Sequence, residues 1–154
     1  MSKIRGKILN IFIGATVVLL IVSVGCVIWQ LTPSPLIKGY ENRWGINLPS
    51  NLKKTYHIER FNIKGEGERY SVFRYSQSSN ELTELFKYNS EIKKNDFESR
   101  FTKDVVDSGI AVDVAFLPNF ALSFKYIEIE KFDMMLYCIC FYEKKEIVFF
   151  EKTY

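Results

Sequence analysis

His57 is the only histidine in this sequence and so the only imidazole that could act as a base or a metal ligand. A zinc site of His and Cys ligands, or a Ser-His-Asp triad, would have to include it. His57 stands between Tyr56 and Ile58 in a strand-like segment, and no His-x-x-x-His, Cys-x-x-Cys or Gly-x-Ser-x-Gly motif accompanies it. We therefore predict a structural histidine, at the surface or half-buried.

Two cysteines could form a redox or metal-binding pair. Cys138 and Cys140 flank Ile139 in an apolar run, which in a strand places both thiols on one face with Cα atoms about 6.6 Å apart. That distance is near the upper limit for a disulfide, and the side chains run parallel. The pattern favours two small buried apolar side chains over a thiolate pair, for which the sequence offers no partners. We predict no metal and no cofactor.

Carboxylate pairs are the other possible source of catalysis, because glycoside hydrolysis uses two of them across the scissile bond. Asp104 and Asp107 fall on the last turn of a predicted helix, where negative charge is unfavourable against the helix dipole. Sequence spacing cannot set the separation that such a pair needs, so we assign no catalytic residue. The candidates are Asp104, Asp107, Asp113, Glu128, Glu130 and Asp133.

An apolar stretch near the N-terminus precedes the part of the chain that positions these residues. Residues 1–7 carry three basic side chains, and no charged residue occurs from Ile8 to Ile37. About 20 apolar residues in a helix cross a bilayer core, and Trp29 favours the far interface. We predict a transmembrane anchor over residues 8–31, with the lipid bilayer as its partner. Basic residues favour the cytoplasmic side, so residues 1–7 are predicted inside and the rest of the chain outside.

Two alternatives involve cleavage of this stretch. Ser23-Val24-Gly25 followed by Cys26 resembles the signal of a bacterial lipoprotein, and the resemblance implies lipidation of Cys26. The same small residues could instead mark the cleavage site of a secreted protein. All three alternatives place the following domain at or beyond the outer face of a membrane. An exported domain without a disulfide framework is typical of a bacterial envelope.

Residues 32–35 are predicted to be a linker, and residues 36–154 one small extracytoplasmic domain. With the three N-terminal cations set aside, the remaining basic residues balance the 18 acidic ones, which argues against nucleic-acid binding. An aromatic content of 16% supplies enough apolar surface for a core, so disorder is disfavoured.

Periodicity predicts an α+β domain with a mostly antiparallel sheet and two to three helices. Ser34 is the predicted N-cap of the first helix, Pro35 takes its first position, and Gly45 is its predicted C-cap. Ser78 and Asn95, each with Glu three residues later, predict the starts of two more helices. The predicted strands cover residues 55–63, 70–76, 122–130, 134–142 and 146–152, of which 134–142 is apolar on both faces and therefore central.

The segment from Ile110 to Phe120 is almost wholly apolar. Pro118 disfavours both a regular helix and a central strand, so we expect a turn there. The segment is either a strand with a buried turn or an exposed surface for another protein or the membrane. On the second interpretation, the candidate partner surface consists of Phe116, Leu117 and Phe120.

We therefore expect a single-pass, membrane-anchored envelope protein with a small, non-catalytic protein-binding domain in an accessory, inhibitory or immunity-type role. The expected partner is another envelope protein. The alternative is a small envelope hydrolase that uses carboxylates on a glycan or peptide. A polar cleft that gathers Asp or Glu would favour the enzyme, and an apolar patch would favour binding.

The predicted topology is testable with reporters fused after Tyr154. A reporter that requires export should be active there, because the basic residues precede the apolar span. Cys26→Ser should leave the chain in the membrane fraction, whereas its release would favour the lipoprotein. Activity of a reporter that works only in the cytoplasm would overturn the assignment.

Overall fold

The computed structural model describes residues 16–24, 34–76, 80–87 and 94–154. The chain forms two compact units, divided between Ser34 and Pro35. In the first unit, residues 16–24 form helix α1, with exposed side chains. The rest of the predicted anchor, the predicted cytoplasmic residues 1–7 and Cys26 lie outside the described residues. Within the described ranges, no helix is both long and apolar enough to span a membrane.

The second unit is an α+β domain built on one five-stranded antiparallel sheet, in the strand order β1-β2-β5-β4-β3. This confirms the predicted fold class of the domain. The elements are α2 (Pro35–Trp44), β1 (Lys53–Phe61), β2 (Gly67–Arg74), α3 (Asn80–Leu85), α4 (Lys94–Ser108), a 3-10 helix (Val114–Phe116), β3 (Lys125–Lys131), β4 (Met134–Phe141) and β5 (Glu146–Thr153).

Helices and loops cover the sheet on both faces. The first face packs against α2 and α3, and the second packs against α4 and the segment 110–124. Side chains alternate between the faces, so Phe149 of β5 lies on the first and Phe150 on the second. Every residue of β4 except Met134 is buried, which confirms the predicted interior strand.

Helix α2 forms where the spacing predicts it. Ile37, Tyr40 and Trp44 face the sheet and are buried. Gly45 ends the helix at φ +68°, and its N–H donates to the Glu41 carbonyl at 2.8 Å. Glycine adopts this left-handed conformation without the steric penalty of a Cβ atom.

Helix α4 buries Phe97, Phe101 and Val105, as their spacing predicts. The helix is already formed at Lys94, so the predicted start at Asn95 is wrong. Asn is tolerated within a helix at modest cost, and the capping pattern therefore did not fix the boundary. Ser78, the other predicted start, lies outside the described residues.

Two strands begin at residues other than the predicted ones. Strand β2 begins at Gly67 rather than residue 70, because Gly67 pairs with Phe61 on one side and Thr153 on the other. Strand β3 begins at Lys125 rather than residue 122. The Leu122 N–H instead donates to the Asn119 carbonyl at 3.1 Å, which closes a turn.

The β1–β2 connection requires glycine at two positions. Gly65 has φ +83° and Gly67 has φ +154°, both in the region that side chains rarely adopt. A Cβ atom on Gly67 would also overlap the carbonyl oxygen of Arg60, whereas one on Gly65 would meet open space. The backbones of the two strands therefore approach closely only at Gly67.

Gly67→Ala should lower the free energy of unfolding by about 3 kcal/mol, because backbone strain and steric overlap add. Gly65→Ala serves as the matched control and should cost about 1 kcal/mol, through backbone strain alone. Urea denaturation of the two variants measures the difference. Equal losses would contradict the close approach of Gly67 to Arg60.

Candidate functional site

An apolar groove of about 400 Å³ lies between the C-terminal half of α4 and the segment 109–120. Burying apolar surface is the main source of affinity in most protein interfaces, so such a groove is a candidate binding site. Its lining residues are Phe101, Thr102, Val105, Val106, Gly109, Ile110, Val112, Leu117, Pro118 and Phe120.

The floor of the groove belongs to the core, and its rim is open to solvent. Phe101, Val105 and Ile110 are buried. On the rim, the exposed fraction is 70% for Val106 and 40% for Leu117. A partner side chain that enters between these two residues would therefore contact the packed core of the second face.

Two tyrosines from the sheet hold the segment that forms one wall of the groove. The Tyr56 hydroxyl accepts from the Asp113 N–H at 3.2 Å, and its ring stacks on Phe116 with centroids 4.4 Å apart. The Tyr70 hydroxyl donates to the Phe116 carbonyl at 2.8 Å. The wall is therefore fixed by side chains of β1 and β2.

The polar residues of the segment support its turns. The Asp113 carboxylate accepts from the Ala115 N–H at 2.9 Å and so caps the 3-10 helix. The Asn119 side chain accepts from the Ala121 N–H at 3.1 Å. Both contacts satisfy local backbone donors, which assigns Asp113 a structural role.

The structure brings two of the three residues of the predicted partner surface to this groove. Leu117 is exposed on its rim, and Phe120 is half-buried against Phe101, with ring centroids 5.8 Å apart. Phe116 is half-buried against Tyr56 and does not line the groove. Partner binding at these residues stays a prediction.

Sequence reasoning missed Val106, and also Val114, whose exposed fraction is 81%. Val106 follows Val105, and only one of two adjacent helical residues can face the core fully. The sequence feature that could have identified Val106 is its position next to the buried apolar stripe of α4, to which it does not belong.

His57 is half-buried, as predicted, and belongs to a hydrogen-bonded chain. Its Nδ1 lies 2.9 Å from Ser71 Oγ, and its Nε2 lies 3.4 Å from a Glu59 oxygen. This connectivity matches that of a Ser-His-Glu triad. Ser71 is fully buried and also bonds Tyr40, so its hydroxyl cannot reach a substrate. The chain is therefore structural.

Two predicted carboxylates meet between α4 and the sheet. Asp104 accepts from the Tyr137 hydroxyl at 2.6 Å, and Glu128 accepts from Arg100 at 2.7 Å. Burial raises the pKa of Glu128, the nearby Arg100 lowers it, and Asp104 raises it. Lys152 lies 3.6 Å from Asp104, so each carboxylate has a cationic partner.

Three further candidate carboxylates lie on nearby or adjoining elements, and Glu130 is close enough to raise the pKa of Glu128. Asp107 is on α4, Glu130 is on β3, and Asp133 is in the β3–β4 turn. In the described part of the chain, no cluster of three His, Cys, Asp or Glu side chains could hold a metal ion.

A second, polar groove of about 480 Å³ lies at the β1–β2 turn and the C-terminal residues. It includes Glu66 and Glu68, which sequence reasoning did not select. Arg60 lies 3.5 Å from Glu68, and Asn62 donates to Glu66 at 2.8 Å. Both carboxylates are thus engaged within the hairpin itself.

Cys138 and Cys140 lie on the first face of β4 and are both free and fully buried. Their predicted placement in the core is confirmed. Burial raises the pKa of Cys140 to about 11 and that of Cys138 as well, so both thiols stay protonated at neutral pH. Protonated thiols are poor nucleophiles and poor metal ligands.

Replacing both cysteines with Ala should lower the free energy of unfolding by about 1–3 kcal/mol, through lost packing. Thermal and urea denaturation of the double variant measure the loss. Binding of the partner should persist wherever the variant is folded. Stoichiometric metal on the purified wild-type chain, or lost binding by a folded variant, would reject the packing role.

Comparison with known proteins finds no matching family model, no matching curated protein and no matching solved structure. The function is therefore argued from the geometry of the described residues.

Proposed function

We propose that this chain is a single-pass, membrane-anchored envelope protein whose domain binds another envelope protein without catalysis, in an accessory, inhibitory or immunity-type role. The apolar groove beside α4 is the observation that carries the proposal. It combines a floor of core residues with exposed apolar side chains on its rim, Val106 and Leu117.

The size and lining of the groove support a side-chain anchor from a partner protein. Binding energy in protein interfaces concentrates where a few anchoring side chains fill well-packed pockets. A volume of about 400 Å³ accommodates such anchors. The exposed Val114 on the neighbouring 3-10 helix extends the apolar surface beyond the groove.

The chemistry of the lining argues for binding rather than turnover. Thr102 is the one polar side chain among the lining residues, and none of them titrates. General acid–base catalysis needs a titratable group within hydrogen-bond reach of the substrate. A peptide or protein segment bound in this groove would therefore be held without chemical change.

The membrane attachment rests on the sequence. Residues 8–31 provide the proposed contact with the bilayer, and the basic residues before them favour an extracytoplasmic domain. A lipoprotein attached through Cys26 is the alternative form of attachment. Either form would present the groove to other proteins at the same membrane.

The second candidate function is a carboxylate hydrolase centred on Asp104 and Glu128, which the fold brings together. The raised pKa of Glu128 is the observation in its favour, since a general acid must hold a proton. Both carboxylates are held by contacts within the domain, however: Arg100 binds Glu128, and Lys152 pairs with Asp104. The groove therefore supports binding more strongly than this pair supports hydrolysis.

Leu117→Asp and Val106→Asp should each weaken partner binding at least about tenfold, because a charge would be desolvated in an apolar interface. Both side chains are exposed, so stability should change by no more than about 0.5 kcal/mol. Ile63→Asp is the matched control, since Ile63 is a fully exposed apolar residue at the β1–β2 turn.

A photoreactive amino acid at position 117, introduced in producing cells, identifies the partner as a covalent adduct. The adduct should disappear when Val106→Asp is added, and position 63 should give no such adduct. An adduct that forms equally at positions 63 and 117, or survives Val106→Asp, would contradict the groove as the binding site.

A further inference from the structure

A chain of hydrogen bonds connects α2 to the edge of the sheet. The Tyr40 hydroxyl lies 3.0 Å from Ser71 Oγ, and Ser71 Oγ lies 2.9 Å from His57 Nδ1. His57 Nε2 lies 3.4 Å from Glu59. We call these four residues, on α2, β2 and β1, the hydroxyl relay.

The Glu59 carboxylate, at one end of the relay, decides which group donates and which accepts in each hydrogen bond. Hydrogen bonding to Arg69 lowers the pKa of Glu59 most strongly, so its carboxylate is ionised and only accepts. His57 therefore carries its proton on Nε2, and its Nδ1 accepts from Ser71. The Ser71 oxygen in turn accepts from Tyr40, and every hydroxyl proton has an acceptor.

We propose that protonation of His57 reverses this relay and loosens α2 from the sheet, which makes the docking of α2 sensitive to acid. An imidazolium donates from both nitrogens, so Ser71 would have to accept from His57. Ser71 Oγ then either turns its proton to Tyr40 or accepts from both His57 and Tyr40. In either arrangement one hydroxyl proton, that of Tyr40 or that of Ser71, loses the acceptor that it has in the neutral relay.

The lost hydrogen bond is costly in either arrangement, because Ser71 is fully buried and so is Tyr40. The Tyr40 ring stacks on Phe149 with centroids 4.7 Å apart, and an unpaired hydroxyl there is not solvated. Helix α2 has 10 residues, too few for a stable isolated helix. Its helical structure therefore depends on docking, to which Tyr40 contributes directly.

Groups around the relay both raise and lower the pKa of His57. Around His57, burial is the largest effect and lowers its pKa, Glu59 raises it, and Arg69 and Lys54 lower it. The net direction is below the ordinary value of 6.5. An imidazolium at this position is thus less stable in the docked state than in water.

The groups that face Tyr40 from the other elements are Glu151 on β5, Arg69 on β2 and Arg43 on α2 itself. Glu151 also pairs with Arg43. These contacts do not depend on the proton of His57, so they hold α2 partly in place in acid. The expected change is a shift in the docking equilibrium rather than complete release.

The sign of the pH dependence follows from proton linkage. The docked state holds the pKa of His57 below its ordinary value of 6.5, and we expect undocking of α2 to return that pKa toward the ordinary value. The neutral relay therefore stabilises the docked state of α2 fully above about pH 6.5, and this stabilisation is lost as the pH falls below that value. One proton taken up on opening raises the undocked fraction by up to about tenfold per pH unit.

Because the sequence holds one histidine, NMR titration of the purified full-length chain reports the pKa of His57 without ambiguity. The expected pKa lies below 6.5. Hydrogen exchange of α2 amides, corrected for intrinsic rates, should accelerate between pH 7 and pH 5, more than exchange of β5 amides. A pKa of 6.5 or above, or equal acceleration in α2 and β5, would overturn the proposal.

His57→Gln provides the matched variant, since its amide can accept from Ser71 and donate to Glu59 but does not titrate. All carboxylates remain in place in this variant, so changes that are caused by their protonation at low pH are retained. The extra acceleration of α2 exchange in acid should be lost in this variant. If it persists, the relay is not the cause; if the variant does not fold, the wild-type titration and exchange decide alone.

Discussion

The buried carboxylate of Glu151 is the interaction on which the arrangement of the first face depends. Glu151 lies in β5, the middle strand, and is almost fully buried. Arg43 and the Trp44 indole of α2 bind it from one side, and Arg69 of β2 lies 3.7 Å away on the other. An uncompensated buried charge is strongly destabilising, so these partners cannot separate without large cost. The position of α2 over the sheet follows from this constraint.

The two faces of the sheet consequently differ in character. On the first face, the position of α2 lets a polar chain run from Tyr40 to Ser71 and His57, beside the ion pairs of Glu151. The second face is held by aromatic packing, and α4 together with segment 109–120 leaves part of it open as the groove. The first face thus carries the buried Ser71 and Glu151, and the second carries the groove with its exposed apolar rim.

The groups that could do chemistry are occupied by these structural contacts. Ser71 and His57 form a hydrogen-bonded chain that a substrate cannot enter, and Asp104 is bound by Tyr137 and Lys152. The lining of the apolar groove, by contrast, offers apolar side chains and one polar one, Thr102. This division is the basis on which we propose recognition rather than catalysis.

The sequence by itself determined the features that depend on neighbours along the chain. The spacing of Phe97, Phe101 and Val105 predicted α4, and the two-sided apolar run around Cys138 and Cys140 predicted an interior strand. The tertiary structure alone decided the strand order, the burial of Glu151 and the exposure of Val106. Pairing of β5 with β2 joins residues that are far apart in sequence, so no local period encodes it. The sequence alone does not show that Glu151 is buried, because its cationic partners come from α2 and β2. It does not show that Val106 is exposed either, because only the packed loop shows which side of α4 stays open.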